Sequence, residues 1–210
     1  MGLDFSYLLY FKRDQLWDVL NGVASLAVPH HPPTTIRFPD GNRSLPLDSW
    51  MAQGKTLDYD APELQFSTVL LFEEDDEIFD YIASRDGDNP DRSPPIEEAT
   101  GQIAIGYIYL TIYNDLSTRI ENARPSNLIL FDFGTTGTRM SMLFSYSTSI
   151  RSTFARLLDR NNGLCGIFNR ESDGGELFWL QGRRMTEYLP GAYLTDQEIK
   201  QLHVQYGEKW

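Results

Sequence analysis

Residues 127–146 have the sequence NLILFDFGTTGTRMSMLFSY, and the interpretation of the whole chain depends on this stretch. Its first part, 128–133, is apolar at every position except Asp132, which is typical of a strand inside a sheet. Its last part, 140–146, places Met, Met, Phe and Tyr at every second position, a pattern that predicts another strand. We therefore expect a hairpin at the centre of a sheet, with a glycine–threonine turn between its arms.

Strand and helix patterns follow one another along the rest of the chain. Apolar runs predict strands at 5–11, 66–72, 102–114, 164–169 and 176–180, and a short hairpin at 34–47. Helical periodicity predicts helices from Asp14, from Asp76, at 150–158 and after the capping box Thr195-Asp-Gln-Glu198. Such a mixture indicates an α+β fold with a mixed or largely antiparallel sheet and with helices packed on one face. We expect one compact domain over residues 1–210, since no stretch divides it.

Two strand–helix units resemble each other. Residues 5–20 and 66–82 each begin with Phe-Ser, continue as an apolar strand, and lead through an aspartate into an amphipathic helix. This similarity predicts a pseudo-repeat and a ferredoxin-like core with two related halves. The alternative is that any buried strand that leads into a capped helix has this pattern. The segment 85–101 is rich in proline and acidic residues, and we expect it to be a mobile loop.

The charge of the chain restricts its partners. The formal net charge is −12 at pH 7, whereas affinity for nucleic acid or an anionic membrane depends on clustered Lys and Arg. We therefore expect neither partner, and we expect no membrane span, because no run approaches about 20 apolar residues. An acidic surface keeps a protein soluble and attracts basic proteins. The expected location is the cytoplasm.

Residues for metal or covalent chemistry are few. The chain has 3 histidines and one cysteine, Cys165, which lies in an apolar run where a thiol behaves as a small hydrophobic group. Since a reactive thiol needs a neighbouring cation, we do not expect Cys165 to be a nucleophile. We also expect no metal site and no cofactor.

The turn of the predicted hairpin contains one motif of possible chemical interest. Asp132-Phe-Gly-Thr-Thr136, followed by Arg139, resembles the first phosphate loop of the actin and sugar-kinase superfamily. This resemblance implies a metal-binding role for the aspartate and contacts between the Gly-Thr-Thr segment and phosphates. The resemblance covers about eight residues, and in that superfamily the motif lies on the first hairpin, with several hundred residues after it. Here only 74 residues follow Thr136.

A tight turn is the simpler interpretation of the same residues. In this interpretation Gly134 and Gly137 adopt positive φ, and the Asp132 carboxylate accepts hydrogen bonds from the turn amides. If the turn instead binds a ligand, the candidate residues are Asp132, Thr135, Thr136 and Arg139.

Aromatic residues in predicted loops and at chain ends suggest a surface for another protein. They are Trp50, Tyr59, Trp179, Tyr188, Tyr193 and Trp210. The first functional hypothesis is a non-catalytic module that binds another protein, preferably a basic one, in an adaptor or immunity-type role. The alternative is a small-molecule or phosphate-binding enzyme with its site at the turn 132–139.

Overall fold

The computed structural model describes residues 3–49, 51, 56–85, 96–97, 101–120, 126–171 and 174–207. In this part of the chain there are eleven strands and five α-helices. The strands are β1 (Ser6–Lys12), β2 (Thr34–Phe38), β3 (Gly41–Leu45), β4 (Leu57–Asp58), β5 (Glu63–Phe72), β6 (Ile96–Glu97), β7 (Gln102–Tyr113), β8 (Leu128–Gly134), β9 (Cys165–Asn169), β10 (Gly175–Leu180) and β11 (Arg183–Leu189). The helices are α1 (Leu16–Ala24), α2 (Asp76–Arg85), α3 (Thr138–Tyr146), α4 (Thr148–Arg160) and α5 (Asp196–Gly207).

One large antiparallel sheet organises these elements. Its strands are in the order β11-β10-β9-β1-β8-β7-β5, and β6 pairs with β7. The first strand of the chain, β1, is central, with β8 on one side and β9 on the other. The prediction of an α+β fold with a largely antiparallel sheet is confirmed. A separate small sheet, in the order β3-β2-β4, contains the predicted hairpin and adds Ile36 and Leu45 to the core.

The second arm of the predicted central hairpin is a helix. The first arm is β8, but the chain then leaves the sheet at Gly134 and forms α3 instead of a returning strand. The prediction of a strand at 140–146 is therefore wrong. The buried residues Met140, Leu143 and Phe144 are spaced three and four apart, and this spacing aligns them on one side of a helix. The predicted turn geometry also differs, because neither glycine lies in the left-handed region of φ, and Gly137 is extended at φ 169°.

Helices α1 to α4 cover one face of the large sheet, which we call the four-helix face. Tyr7, Leu9 and Phe11 of β1 are fully buried on this face. Aromatic rings fill its centre, where the ring of Phe154 in α4 lies 4.6 Å from Tyr7 and 4.8 Å from Phe133. This packing joins the central strands to α4, the longest of the described helices.

Helix α5 lies on the opposite face, which we call the α5 face. Leu8 and Tyr10 of β1 are fully buried there and belong to one apolar cluster with Ile199 and Leu202 of α5. The prediction that the helices pack on one face is therefore wrong for α5. Both faces of the central strands are apolar, and other elements therefore have to shield both of them from water. On β7 the same face is open, since Tyr107 and Tyr109 are 60% and 52% exposed.

A single carboxylate connects two of the helices on the four-helix face. Asp75 accepts a hydrogen bond from the backbone N–H of Ile78 at 2.9 Å, which caps the start of α2. Its second oxygen accepts hydrogen bonds from the Ser147 hydroxyl at 2.7 Å and from the Ser149 N–H at 2.9 Å, at the start of α4. The Ser147 hydroxyl in turn accepts from the N–H of Ile150. Asp75 therefore holds the two helix starts together.

The predicted mobile loop 85–101 lies mostly outside the described residues, at 86–95 and 98–100. Both parts of the predicted pseudo-repeat are described. The strand and helix of 5–20 correspond to β1 and α1, and those of 66–82 correspond to β5 and α2. The two strands run in opposite directions and are separated in the sheet by β8 and β7.

Candidate functional site

A polar cavity of about 450 Å³ opens on the α5 face, where β1 begins and where β8 and β9 end. It is lined by Asp4, Phe5, Ser6, Arg119, Asp132, Gly134, Thr135, Asn169, Glu171, Gly174, Ala192 and Tyr193. Cavities of this size accept small molecules or single side chains of a partner. Because β1 is antiparallel to β8 and β9, the start of β1 and the ends of its two neighbours meet at one edge.

Asp132 lies in this cavity because of its position on β8. It follows the buried residues Leu128 and Leu130 at every second position, so its side chain is on the α5 face with theirs. It pairs with Leu8 of β1 and Thr111 of β7, and it is partly buried. Burial raises the pKa of the Asp132 carboxyl, while a hydrogen bond from Ser6, the charge of Arg119 and a hydrogen bond from Tyr193 oppose that rise. The charged form of Asp132 is therefore less favourable in the folded protein than in water.

A directed chain of hydrogen bonds reaches Asp132 from the rim. The Arg119 guanidinium donates to the Tyr193 hydroxyl at 2.6 Å, and that hydroxyl donates to Asp132 Oδ2 at 3.3 Å. The guanidinium carbon also lies 4.4 Å from the centre of the Tyr193 ring, a cation–π contact. Burial, together with the nearby Asp132 charge, raises the pKa of Tyr193 to about 12. At neutral pH the phenol is therefore a hydrogen-bond donor to Asp132.

The segment that carries Tyr193 is fixed by the core beneath it. Its neighbours Ala192 and Leu194 are buried, and the N–H of Leu194 donates to the Tyr10 hydroxyl at 2.8 Å. The predicted capping box follows directly, because the N–H of Thr195 donates to Glu198 at 2.7 Å and the N–H of Glu198 donates back to Thr195. The start of α5 thus holds Tyr193 in place.

Two further carboxylates stand at the rim of the cavity. Asp4 and Glu171 are exposed, and a Glu171 carboxylate oxygen accepts a hydrogen bond from the N–H of Asp4 at 3.2 Å. The N–H of Glu171 donates to the Asn169 side chain at 3.0 Å. Glu171 has φ of 73°, in the left-handed region that non-glycine residues seldom occupy. With Asp132, these residues place three carboxylates around a cavity that also contains one arginine.

Two of the four residues predicted as ligand contacts line the cavity, and the other two do not. Asp132 and Thr135 line the cavity, but the Thr135 hydroxyl is 2.6 Å from the Ser141 hydroxyl and is buried. Thr136 is exposed next to Met140, and Arg139 donates to the Ser84 carbonyl on the four-helix side at 3.5 Å. The hydrogen bonds to Asp132 come from Tyr193 and Ser6 rather than from turn amides.

Other members of the site were not predicted from the sequence. They are Ser6, Arg119 and Glu171, whereas Tyr193 was predicted only as one of the aromatic residues of a partner surface. These four residues come from separate parts of the chain. Ser6 carries the one available signal, because it is a polar residue within an otherwise apolar strand. No local sequence pattern predicts that Arg119 lies next to Tyr193, because the two residues are 74 positions apart.

No family model, curated protein or solved structure matches this chain. None of the helices in the described ranges is long and apolar enough to cross a membrane. Within the same ranges, histidine, cysteine and acidic side chains form no group of three or more that could hold a metal ion.

The aromatic residues predicted to form a partner surface have different environments. Trp179 is only 4% exposed and packs in the core, so its predicted surface role is wrong. Tyr59 stacks on Phe38, and Tyr188 on β11 is 67% exposed. Trp50 and Trp210 lie outside the described residues. The exposed pair Tyr107 and Tyr109 on β7 was not predicted, because the whole run 102–114 has an apolar pattern.

Proposed function

We propose that this protein is a non-catalytic binding module whose acidic cavity receives a basic side chain of a partner protein. One observation carries the proposal. Three carboxylates, those of Asp4, Asp132 and Glu171, line the cavity, whereas its arginine is already bonded to Tyr193. The cavity therefore has an excess of negative charge that a lysine or arginine would neutralise.

The state of Asp132 supports the same ligand class. A partly buried carboxylate with a raised pKa gains stability when a cation approaches, because the cation offsets the loss of hydration. The net charge of −12 adds a long-range attraction that accelerates the approach of a basic partner. In this proposal Asp132 is the central contact, and Asp4 and Glu171 attract the cation at the rim.

A second candidate function is the binding, or conversion, of a small cationic molecule. The cavity volume of about 450 Å³ lies within the range of small-molecule sites. A carboxylate with a raised pKa is also a group that enzymes use for proton transfer. In this alternative Asp132 remains the polar anchor, while Arg139 does not line the cavity and instead donates to the Ser84 carbonyl.

An NMR titration with short peptides tests the first proposal. We expect acetyl-Gly-Arg-Gly-amide and its lysine counterpart to shift the amide signals of Ser6, Asp132 and Tyr193, and acetyl-Gly-Glu-Gly-amide to leave them unchanged. Asp132→Asn is expected to weaken binding more than about tenfold, since truncating a buried charge pair costs about 2–5 kcal/mol. Asp80→Asn, an exposed change on α2, is the matched control and is expected to change affinity less than about twofold.

The same titration separates the alternatives. If Asp132→Asn binds the basic peptides as wild type does, or if the cavity signals do not move, the proposal is wrong. If agmatine binds at the cavity as tightly as the arginine peptide does, the small-molecule function is favoured, because the peptide backbone then contributes nothing.

Two finer statements about the chain also remain proposals. The first is the duplicated unit in a ferredoxin-like core, which is supported by the way β1 leads into α1 and β5 leads into α2 on one face. A two-fold axis between β8 and β7 would relate these units, and related chains with more similar units would support the duplication. The second is a cytoplasmic location without nucleic-acid or membrane partners, which the net charge favours and which fractionation of the source cells would test.

A further inference from the structure

The open part of the α5 face continues from the acidic cavity across the sheet. Strand pairing places Asn169, Ser6, Gly134, Tyr109 and Ser67 side by side on β9, β1, β8, β7 and β5. Each of these five residues belongs to the α5 face, because a residue directly next to it in the strand is buried in the core of the four-helix face; these neighbours are Phe168, Tyr7, Phe133, Ile108 and Phe66. We call this set the cross-strand row.

The row contains little side-chain bulk, with one exception. Tyr109 lies between Gly134, which has no side chain, and Ser67, which has a small one. Its ring is therefore not covered by either neighbouring strand, and the residue is 52% exposed. Beside it is a second cavity of about 610 Å³, lined by Asp48, Gln65, Phe66, Ser67, Tyr109 and Thr111.

The two cavities are adjacent. Asp132 and Gly134 line the first, and they pair directly with Thr111 and Tyr109, which line the second. Strands are about 4.8 Å apart, so the four intervals from Asn169 to Ser67 span roughly 19 Å. An extended peptide rises about 3.3 Å per residue, and roughly six residues therefore cover this distance.

Negative charge is present along the whole length. Asp4 and Glu171 stand at the β9 end, Asp132 lies in the middle, and Asp48 lines the cavity at the β5 end. An exposed tyrosine ring between carboxylates attracts a guanidinium through its π face. The charge and the open ring together favour a basic ligand that extends across the strands.

We infer that the cross-strand row and the two cavities form one groove that binds an extended, arginine-containing segment of a partner protein. One arginine of this segment enters the cavity at Asp132, and another packs on the ring of Tyr109. This inference rests on the proposed function, because it needs the Asp132 cavity to accept a basic side chain. It adds a second contact site and a minimum ligand length.

Fluorescence anisotropy with labelled hexa-arginine, compared with the acetyl-Gly-Arg-Gly-amide titration, tests the groove. Tyr109→Ala is expected to weaken hexa-arginine binding about two- to fivefold, the effect of one exposed cation–π contact, and to leave the tripeptide affinity unchanged. Tyr146→Ala is the matched control, since Tyr146 is 58% exposed on α3 and lies on the other side of the sheet. It is expected to change neither affinity.

A charge change at Ser67 gives an independent second measurement. Ser67→Lys is expected to weaken hexa-arginine binding and Ser67→Glu to strengthen it, whereas the tripeptide, held at Asp132, responds to neither. If Asp132→Asn weakens both peptides but changes at Tyr109 and Ser67 affect neither, the groove is refuted and the proposed function stands. If the wild-type protein shows no response to the tripeptide at the cavity, the proposed function itself fails.

Discussion

Removal of the Asp75 carboxylate is the sharpest test of how the four-helix face is held together. In Asp75→Ala three hydrogen bonds are lost: those from the N–H groups of Ile78 and Ser149 and from the Ser147 hydroxyl. Loss of a helix N-cap costs about 1 kcal/mol, and a hydrogen bond to a charged group contributes about 1.5–3 kcal/mol. Because Asp75 is only partly buried, water replaces some of the lost hydrogen bonds, and we expect the free energy of unfolding to fall by about 2–3 kcal/mol.

Urea unfolding followed by circular dichroism measures this loss as a lower midpoint with an unchanged slope. The matched control is Asp76→Ala, the exposed neighbouring carboxylate in the first turn of α2. Its favourable interaction with the helix dipole is worth about 0.3–1 kcal/mol. If the two variants lose equal stability, or if Asp75→Ala stays within about 0.5 kcal/mol of wild type, the connection between α2 and α4 does not contribute as described.

Three further predictions concern titratable groups. Since the folded pKa of Asp132 is raised, the stability of the protein falls as pH rises between the unfolded and the folded pKa of this group. Asp132→Asn should therefore have a higher melting temperature than wild type at pH 7.5, and the difference should be smaller at pH 4. The hydrogen bond from Arg151 at 2.6 Å is the chief reason that the pKa of Glu176 is lowered, and the stability that this pair contributes is lost as pH falls through the folded pKa. Glu176→Gln should therefore destabilise the protein by about 1 kcal/mol at neutral pH and flatten the acid limb of a pH–stability curve. Burial raises the pKa of Cys165, and native protein should therefore react with a thiol reagent only after urea unfolds it.

Most elements of the fold follow local patterns that the sequence displays. The run 5–11 predicted β1, and the capping box at Thr195 predicted the start of α5. Helix α3 was mistaken for a strand because its residues also alternate at every second position. Met140 is also three and four residues from Leu143 and Phe144, a spacing that predicts a helix. The helix forms because it buries these three side chains against the sheet. Strand β11 was missed, since most of its side chains are exposed and have no apolar alternation.

The candidate site was only partly predictable, for a different reason. Asp132 was identifiable as a polar residue in a buried strand, which needs a hydrogen-bond partner. The identity of that partner depends on contacts between distant parts of the chain, because Tyr193 follows 61 residues later. Arg139, although close in sequence, is carried away by α3 to the four-helix side.

The central position of β1 has a consequence for biosynthesis. This strand is translated before both of its neighbours in the sheet, which begin only at Leu128 and Cys165. Until those segments leave the ribosome, its apolar and aromatic residues have no permanent partner, and pairing over such distances is slow. An unpaired apolar strand is prone to aggregate during this interval. Fragments that end before β8 should therefore be captured by chaperones or degraded, rather than accumulate as folded intermediates.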